Sequence, residues 1–293
     1  MKRALLLILI LLFAVTVAML CVGCVVKKQS GEIVTETYTV TDADAFVLKN
    51  LSMKVSGKGI GPKVQFVSDG GETSVTVTMQ KSMFDTVKLT QTGKKIIFSG
   101  NKRYVYITDY DVNGVVKNCV LNTIDLSGAT TATADDGCLG SDLYIDLSGA
   151  SRLDGTSVTC NAFNADLSGA SKLSLTGISC SAMTVDLSGA SSLTASTVTA
   201  NNIHADISGA SHISFTTGSA NTMHLDASGA STFGSIDFAV QTTYADVSGA
   251  STLSLTCNGG TITGDASGAS HIEYKGTATV SVDTSGTSSI RNV

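Results

Sequence analysis

The sequence predicts an all-β protein: a right-handed parallel β-helix, built as a three-sided solenoid with about 20 residues per coil, behind a β-rich N-terminal section. Three observations predict this fold. A six-residue motif recurs at nearly constant spacing, and apolar residues alternate with polar ones between its copies. The composition, with 29 Gly, one Pro, no Trp and 5% aromatic residues, suits short strands joined by tight turns.

The motif is Asp-x-Ser-Gly-Ala-Ser, and its copies follow one another in steps of 18 to 21 residues. That period is too short for a helical hairpin but fits one coil of a β-helix. A single coil cannot cover its own apolar face, so stability is expected to come from the stacking of neighbouring coils. The nine copies begin at Asp125, Asp146, Asp166, Asp186, Asp206, Asp226, Asp246, Asp265 and Asp283.

Between two copies of the motif, apolar residues alternate with polar ones in three short runs, at 173–175, 178–180 and 183–185 in one coil. Strict alternation is the period of a β-strand. Gly, Ser, Thr and Asn separate the runs, and these residues turn corners. We expect the alternating apolar residues to lie inside the coil, with Gly169 at a corner and Ala170 packed inside that corner.

The N-terminus predicts export and a tether to a membrane. Two basic residues precede an uncharged run at 4–26, as in an export signal. Gly-Cys at the end of this run resembles a lipobox, in which Cys24 would carry a lipid. The 23 residues are also long enough to span a bilayer as an uncleaved anchor. Both alternatives place the remainder outside the cytoplasm, at the cell surface or in the periplasm.

The chain therefore divides into three parts. Residues 1–26 are the signal peptide with lipobox or the membrane anchor, residues 31–118 are a β-rich section or cap, and residues 119–293 are the solenoid. Charge separates the last two parts. Residues 1–118 carry 15 Lys and Arg against 9 acids, whereas residues 119–293 carry 4 against 15. A solenoid with so few cations argues against nucleic acid as a partner, because phosphates require cationic contacts.

The repeated hexapeptide resembles that of the head GIN domain family of putative auto-transporter adhesins, which are bacterial extracytoplasmic β-helical proteins. The N-terminal section also resembles that family's entry segment, through Phe46-Val47-Leu48, Lys63-Val64-Gln65-Phe66, Ser82-Met83-Phe84-Asp85 and Lys95-Ile96-Ile97-Phe98-Ser99-Gly100. The resemblance covers about residues 40–293. It implies adhesion, and no catalytic residues are carried over from it.

Stacking of the motifs predicts a column of outward aspartates beside a column of serines. Carboxylates about 5 Å apart repel one another by roughly 1 kcal/mol even in water. Two interpretations offset that repulsion: hydrogen bonds from Ser hydroxyls or turn N–H groups, as in Asx turns, or Ca²⁺ bound along the column. The residues of this predicted column are Asp146, Asp166, Asp186, Asp206, Asp226, Asp246 and Asp265.

Two histidines suggest a second candidate site. His204 and His224 each lie two residues before an aspartate of the column, so they are expected to stack beside Asp206 and Asp226. Two imidazoles and two carboxylates are a ligand set that suits Zn²⁺. The alternative is ordinary surface decoration.

Cys160 and Cys180 share one register position, where other coils carry small apolar residues. Buried thiols are the first interpretation. A disulfide between adjacent coils is the alternative, because stacked strands bring the two Cα atoms within disulfide range and export makes oxidation feasible.

These patterns predict a surface or envelope adhesin or scaffold that presents a rigid, repetitive surface and has no catalytic activity. Its predicted partners are the membrane, through the N-terminus, and a surface glycan or protein. No cofactor is predicted beyond the Ca²⁺ and Zn²⁺ alternatives. Two other functions stay open: a carbohydrate-active β-helix of the polysaccharide lyase or hydrolase type, and an envelope signalling component.

Overall fold

The computed structural model describes residues 25–29, 31–55, 61–101, 103–108 and 110–293, so the predicted lipobox at Cys24 and the run before it lie outside the described residues. The regular secondary structure of the described part is β-strand, apart from a 3-10 turn at Lys81–Met83. No helix within it is long and apolar enough to cross a membrane.

Ten strands form the N-terminal cap. They are β1 Val25–Lys28, β2 Ile33–Thr39, β3 Ala45–Lys49, β4 Ser52–Val55, β5 Lys63–Val67, β6 Ser74–Gln80, β7 Lys88–Thr92, β8 Lys95–Ser99, β9 Tyr104–Thr108 and β10 Asn113–Lys117.

Thirteen strands form the solenoid. They are β11 Leu121–Leu126, β12 Thr131–Ala134, β13 Leu139–Leu147, β14 Arg152–Leu167, β15 Lys172–Leu187, β16 Ser192–Ile207, β17 His212–Ala227, β18 Thr232–Val247, β19 Thr252–Thr256, β20 Thr261–Ala266, β21 His271–Lys275, β22 Thr279–Thr284 and β23 Ser289–Asn292.

The solenoid strands pair in parallel, each with its counterpart in the next coil. β14 to β18 each run for 16 residues and keep one register, so that Asp166 pairs with Asp186 and Leu167 with Leu187. About nine coils of roughly 20 residues stack in this way, which confirms the predicted parallel β-solenoid.

Burial along one coil marks three sides. Inward positions alternate with outward ones, and the alternation breaks where consecutive residues face outward, at 168–170, 176–177 and 181–182. These breaks are the corners that the sequence predicted from its Gly, Ser, Thr and Asn residues. The sides between them hold the apolar core, which continues from Val40 in the cap to Ile272 near the last coil.

The corner of the motif differs from the prediction in one respect. Gly169 adopts φ +73°, and this left-handed conformation turns three successive residues outward. Ala170 is therefore exposed instead of packed inside, and Ser171, the last residue of the motif, is fully buried in its place. A Cβ on Gly169 would lie 2.4 Å from the carbonyl oxygen of Gly149 in the preceding coil, so the corner excludes any other residue.

The buried serines form a polar column inside the solenoid. Ser191 donates to the Leu167 carbonyl at 3.1 Å in the preceding coil and to the Ser188 carbonyl at 2.9 Å, and it lies 3.3 Å from the Ser211 hydroxyl. Because a buried hydroxyl without a partner is costly, the serines bond either to carbonyls or, as Ser211 and Ser251 do, to the hydroxyl of a neighbouring serine. Members of this column are Ser151, Ser171, Ser191, Ser211, Ser231, Ser251 and Ser270.

The cap closes one end of the rod and continues its ladders. β3 pairs in parallel with β11, and β5 pairs in parallel with β12, so these strands act as an irregular first coil. β6 lies antiparallel to both β2 and β10, and β7 lies antiparallel to β8. Antiparallel strands thus cover the edge that a bare solenoid would expose at this end.

Candidate functional site

Nine aspartates stand in direct register along one side of the solenoid. The strand ladders pair each aspartate with its counterpart in the next coil, from Asp125 and Asp146 through to Asp265 and Asp283. We call this set the aspartate column. Its members lie one strand spacing apart, about 4.8 Å. This is the stacking that the motif spacing predicted.

Each aspartate is placed by the last run of alternation in its coil. In β15, Val185 and Leu187 point into the core, so Asp186 between them points outward. The corner that follows places the first serine of the motif, such as Ser188, half-buried at the edge of the column. The core leucines thus fix the direction of the carboxylates, although they touch no ligand themselves.

The carboxylates in the column have almost no protein partners. Among the described residues, the only hydrogen bond to one of them is donated by the Asp265 N–H to Asp246 Oδ1, at 3.1 Å. The expectation that Ser hydroxyls and turn N–H groups satisfy the aspartates is therefore wrong. Serine hydroxyls of the motif donate instead to backbone carbonyls, as Ser208 does to Leu187 at 3.4 Å.

The carboxylates at the cap end of the column carry an electrostatic cost. Burial raises the pKa of Asp125, Asp146 and Asp166, and the next carboxylate towards the cap adds to the rise for Asp146 and Asp166. Lys49 and Lys95 partly oppose the rise at Asp125, where the column meets the cap. From Asp166 onward, the carboxylates of the column are exposed to solvent.

A shallow groove of about 200 Å³ follows the distal half of the column. Carboxylates of four successive coils line one side, and the corner serines line the other. The groove residues are Asp206, Asp226, Asp246, Asp265, Ser228, Ser248, Ser267, Ala227 and Val247.

Aromatic rings flank the column in the same coils. The residue two positions before each aspartate also faces outward, and in register these residues include His204, His224 and Tyr244. The His224 ring stacks on the Tyr244 ring at 4.5 Å between centroids and 14° between planes. Tyr244 keeps 47% of its surface exposed, so a flat apolar face lies beside the acidic groove.

The predicted zinc site is not assembled. The centroids of the His204 and His224 rings are 6.4 Å apart, and the His224 ring packs on Tyr244. In the described part of the chain, no three His, Cys, Asp or Glu side chains converge where a metal ion could bind. The geometry therefore supports neither the zinc set with Asp206 and Asp226 nor Ca²⁺ along the column.

The described cysteines are all buried and free, including Cys160 and Cys180, which pair in register on adjacent coils. Burial raises the pKa of Cys119 to about 11. It also raises the pKa of Cys180, with the neighbouring Cys160 thiol as the largest cause. The interpretation as buried thiols is confirmed, and the two sulfurs form no disulfide in the structure.

Sequence reasoning missed two features of this surface. It did not assign the buried serine column, although the signal was present, since the sixth motif position is Ser in eight of the nine copies. It noted that Tyr244 continues the histidine register, but it did not predict the stack with His224, because ring orientation depends on side-chain packing between coils.

The fold and the column define a class of protein: a repeat solenoid that presents one chemistry many times along a rigid face. The family model described as "Putative auto-transporter adhesin, head GIN domain" matches residues 61–217, which is more than half of the chain. The chain belongs to this family, which confirms the resemblance seen in the sequence.

Solved structures share the fold at low sequence identity. The chain is similar to a putative adhesin from Parabacteroides merdae, with a TM-score of 0.62 and 14% identity over 92% of this chain and 99% of that one. It is also similar to a putative adhesin and to a putative lipid binding protein, both from Parabacteroides distasonis. Their TM-scores are 0.56 and 0.57 and their identities 13% and 14%, over 92% of this chain and 100% of each of those. No curated protein matches the sequence.

Proposed function

We propose that this protein is an envelope-tethered surface adhesin or scaffold, without catalytic activity, whose binding face is the aspartate column with its flanking aromatic rings. The observation that carries the proposal is the column itself. Nine carboxylates are held in register, burial and a neighbouring carboxylate raise the pKa of Asp146 and Asp166 among them, and only one of the nine accepts a hydrogen bond among the described residues. Family membership and the likeness to proteins named putative adhesins support it.

The ligand that suits this face is a surface glycan or a protein segment rich in hydroxyl or cationic groups. Carboxylates accept hydrogen bonds from sugar hydroxyls and attract cations. The exposed face of Tyr244, stacked on His224, offers an apolar platform for a sugar ring beside the groove. A repeated surface can also engage several units of a polymer at once, which raises the overall affinity without new contacts.

Equivalence of the coils argues against catalysis. Hydrolysis by two carboxylates requires an acid and a base whose environments differ. Here the groove aspartates occupy the same position in successive coils, each between two inward positions and two residues before a corner serine. This arrangement suits repeated binding and does not separate an acid from a base. The carbohydrate-active alternative therefore has less support than binding.

The test is a glycan-array and cell-binding screen with residues 25–293, which include every described residue. Against any ligand found, a variant with D206N, D226N and D246N is compared with a control carrying D135N, D136N and D142N. Both variants lose three negative charges, but the control aspartates are exposed and lie outside the column. We expect the column variant to bind at least about tenfold more weakly and the control to bind as the unmodified chain does. Equal binding by the two variants would show that the column is not the binding face.

A further inference from the structure

A small sheet at the N-terminus has an outer face of unusual composition. β1, β9 and β4 form a separate three-stranded parallel sheet, which we call the basal sheet. Its strands carry Lys27, Lys28 and Lys54, with Arg103 immediately before β9, and they contain no acidic residue.

Register separates the two faces of the basal sheet. Residues paired in parallel strands face the same side, so Val26 lies beside Val105 and Lys28 beside Ile107. The opposite side carries Tyr106, which is fully buried in the cap. Val26 is 62% exposed, and Val105 and Ile107 are only half-buried. The outer face is therefore an exposed apolar row with cationic side chains at its ends.

Hydrogen bonds at both ends of β1 fix this strand to the cap. The Val25 N–H donates to the Arg103 carbonyl, and the Gln29 N–H donates to the Ile107 carbonyl, both at 2.6 Å. Gln29 is almost fully buried, and its Oε1 accepts a hydrogen bond from the Ser82 hydroxyl at 2.8 Å. The Lys27 ammonium lies 5.0 Å from the centre of the Tyr104 ring, a cation–π contact.

This strand also overlaps the apolar run of the sequence. The uncharged run covers residues 4–26, and β1 begins at Val25, so no linker separates them. Each residue of extended chain spans at most about 3.5 Å. A lipid on Cys24 or a bilayer span at 4–26 would therefore hold the basal sheet within a few ångströms of the headgroups.

We propose that the outer face of the basal sheet lies against the membrane surface, with Lys28 and Arg103 on anionic lipid headgroups and Val26, Val105 and Ile107 in the interfacial layer. Apolar residues edged by Lys and Arg are the chemistry that binds such a surface. The charge of the whole chain agrees, because the cationic end is at the tether and the acidic solenoid would be repelled from the same lipids. The inference rests on the tether in the proposed function.

The test uses the full chain in lipid nanodiscs, either of neutral phosphatidylcholine or with added phosphatidylglycerol. An uncharged amine-acylating reagent labels the lysines, and mass spectrometry gives a rate for each one. Lys172, exposed in the solenoid, is the internal reference. Relative to Lys172, we expect Lys28 to react about fivefold more slowly in anionic than in neutral discs. High salt should remove this difference by screening.

Matched variants sharpen the test. R103Q should weaken the protection of Lys28, whereas R152Q, an equal change of charge in the solenoid, should leave it intact. Equal Lys28 rates in the two discs would overturn the inference, whether both are fast, as on a free face, or both are slow, as under a protein cover. If the protein is not retained on neutral discs, the proposed tether is wrong, and this inference fails with it.

Discussion

The cap and the solenoid both consist of β-strands, but the strands are held in place differently in the two regions. In the solenoid, the coils from β14 to β17 repeat one register, one corner and one buried serine. In the cap, parallel and antiparallel pairs mix, and individual side chains fix single turns. Asn118 is one example, since its Oδ1 accepts hydrogen bonds from the N–H groups of Asp69 and Gly70 at 2.9 and 3.0 Å.

Charge follows the same division. The cap places most of its described acids in partnered positions, as with Asp69 and Lys117 at 2.7 Å or Asp111 and Lys63 at 2.5 Å. Among the described residues, the solenoid forms no ion pair with its column of acids, and Lys49 and Lys95 of the cap act only on Asp125. The difference indicates that the cap uses carboxylates to hold its structure, whereas the solenoid holds its structure with backbone ladders and presents its carboxylates outward.

The largest expected effect compares a glycine from each region. Gly209 in the solenoid and Gly93 in the cap both have positive φ, at +72° and +57°. A Cβ on Gly209 would lie 2.4 Å from the Gly189 carbonyl oxygen, whereas a Cβ on Gly93 would meet nothing within 4 Å. G93A should therefore cost about 1 kcal/mol, for the left-handed conformation alone. G209A should cost roughly 3 kcal/mol or more, because two stacked coils must move apart.

Urea denaturation followed by circular dichroism measures both changes in the free energy of unfolding. The two substitutions are chemically the same, so their difference isolates the contact between coils. Equal losses for G93A and G209A would mean that the corners do not stack as tightly as the structure shows.

A smaller effect is expected for buried hydroxyls. In the cap, Thr108 donates to Gln80 Oε1 at 2.7 Å, and both residues are buried, so T108V leaves that oxygen without its donor. In the solenoid, S171A removes one of two bonds to the Leu147 carbonyl, which keeps the Ser168 N–H at 2.9 Å. We expect losses of about 2 and about 1 kcal/mol, respectively.

Thermal unfolding measures these losses, and A170S is the matched control. Ala170 is exposed at the corner next to Ser171, so adding a hydroxyl there should change stability by less than about 0.5 kcal/mol. If A170S were as harmful as S171A, the observed assignment of inside and outside at this corner would be contradicted.

Predictability from the sequence also differs between the two regions. The period of the motif predicted the register of the solenoid, because stacking identical coils leaves one way to bury Leu167 and Leu187 in every turn. Alternation located the three sides. The prediction was wrong at Ala170, which is exposed while Ser171 is buried, because hydropathy alone placed the alanine inside. The positive φ of Gly169 reversed the two, and hydrogen bonds to carbonyls of the neighbouring coil compensated the buried hydroxyl.

The cap and the site chemistry were less predictable for a physical reason. The pairing of β6 with both β2 and β10 joins segments far apart in the sequence, and no repeat indicates the register. At the site, spacing placed the aspartates and histidines correctly. It could not show that the carboxylates lack partners or that His224 would pack on Tyr244, because both depend on side-chain contacts between coils.

The smallest expected effects come from replacing one aspartate in each region, and the two changes in stability should have opposite signs. Burial and the neighbouring Asp146 raise the pKa of Asp166, so its ionisation opposes folding. D166N should therefore stabilise the protein at pH 7 by roughly 1 kcal/mol or less, and the gain should vanish as the pH falls through the raised pKa. Asp69 behaves oppositely: hydrogen bonds from Lys117, Asn118 and the Gly71 N–H lower its pKa. D69N should therefore destabilise the protein at pH 7.

The sign follows from proton linkage. Folded Asp166 binds its proton more tightly than the unfolded chain does, so acidification favours folding through this residue. Folded Asp69 binds its proton less tightly, so its contribution is present above the unfolded pKa, about 3.9, and is lost as the pH falls towards the folded value. Melting temperatures of the unmodified chain, D166N and D69N at pH 7 and pH 4.5 measure these changes. A D166N variant less stable than the unmodified chain at pH 7 would mean that the column carboxylates hold the solenoid together, and the contrast with the cap would fail.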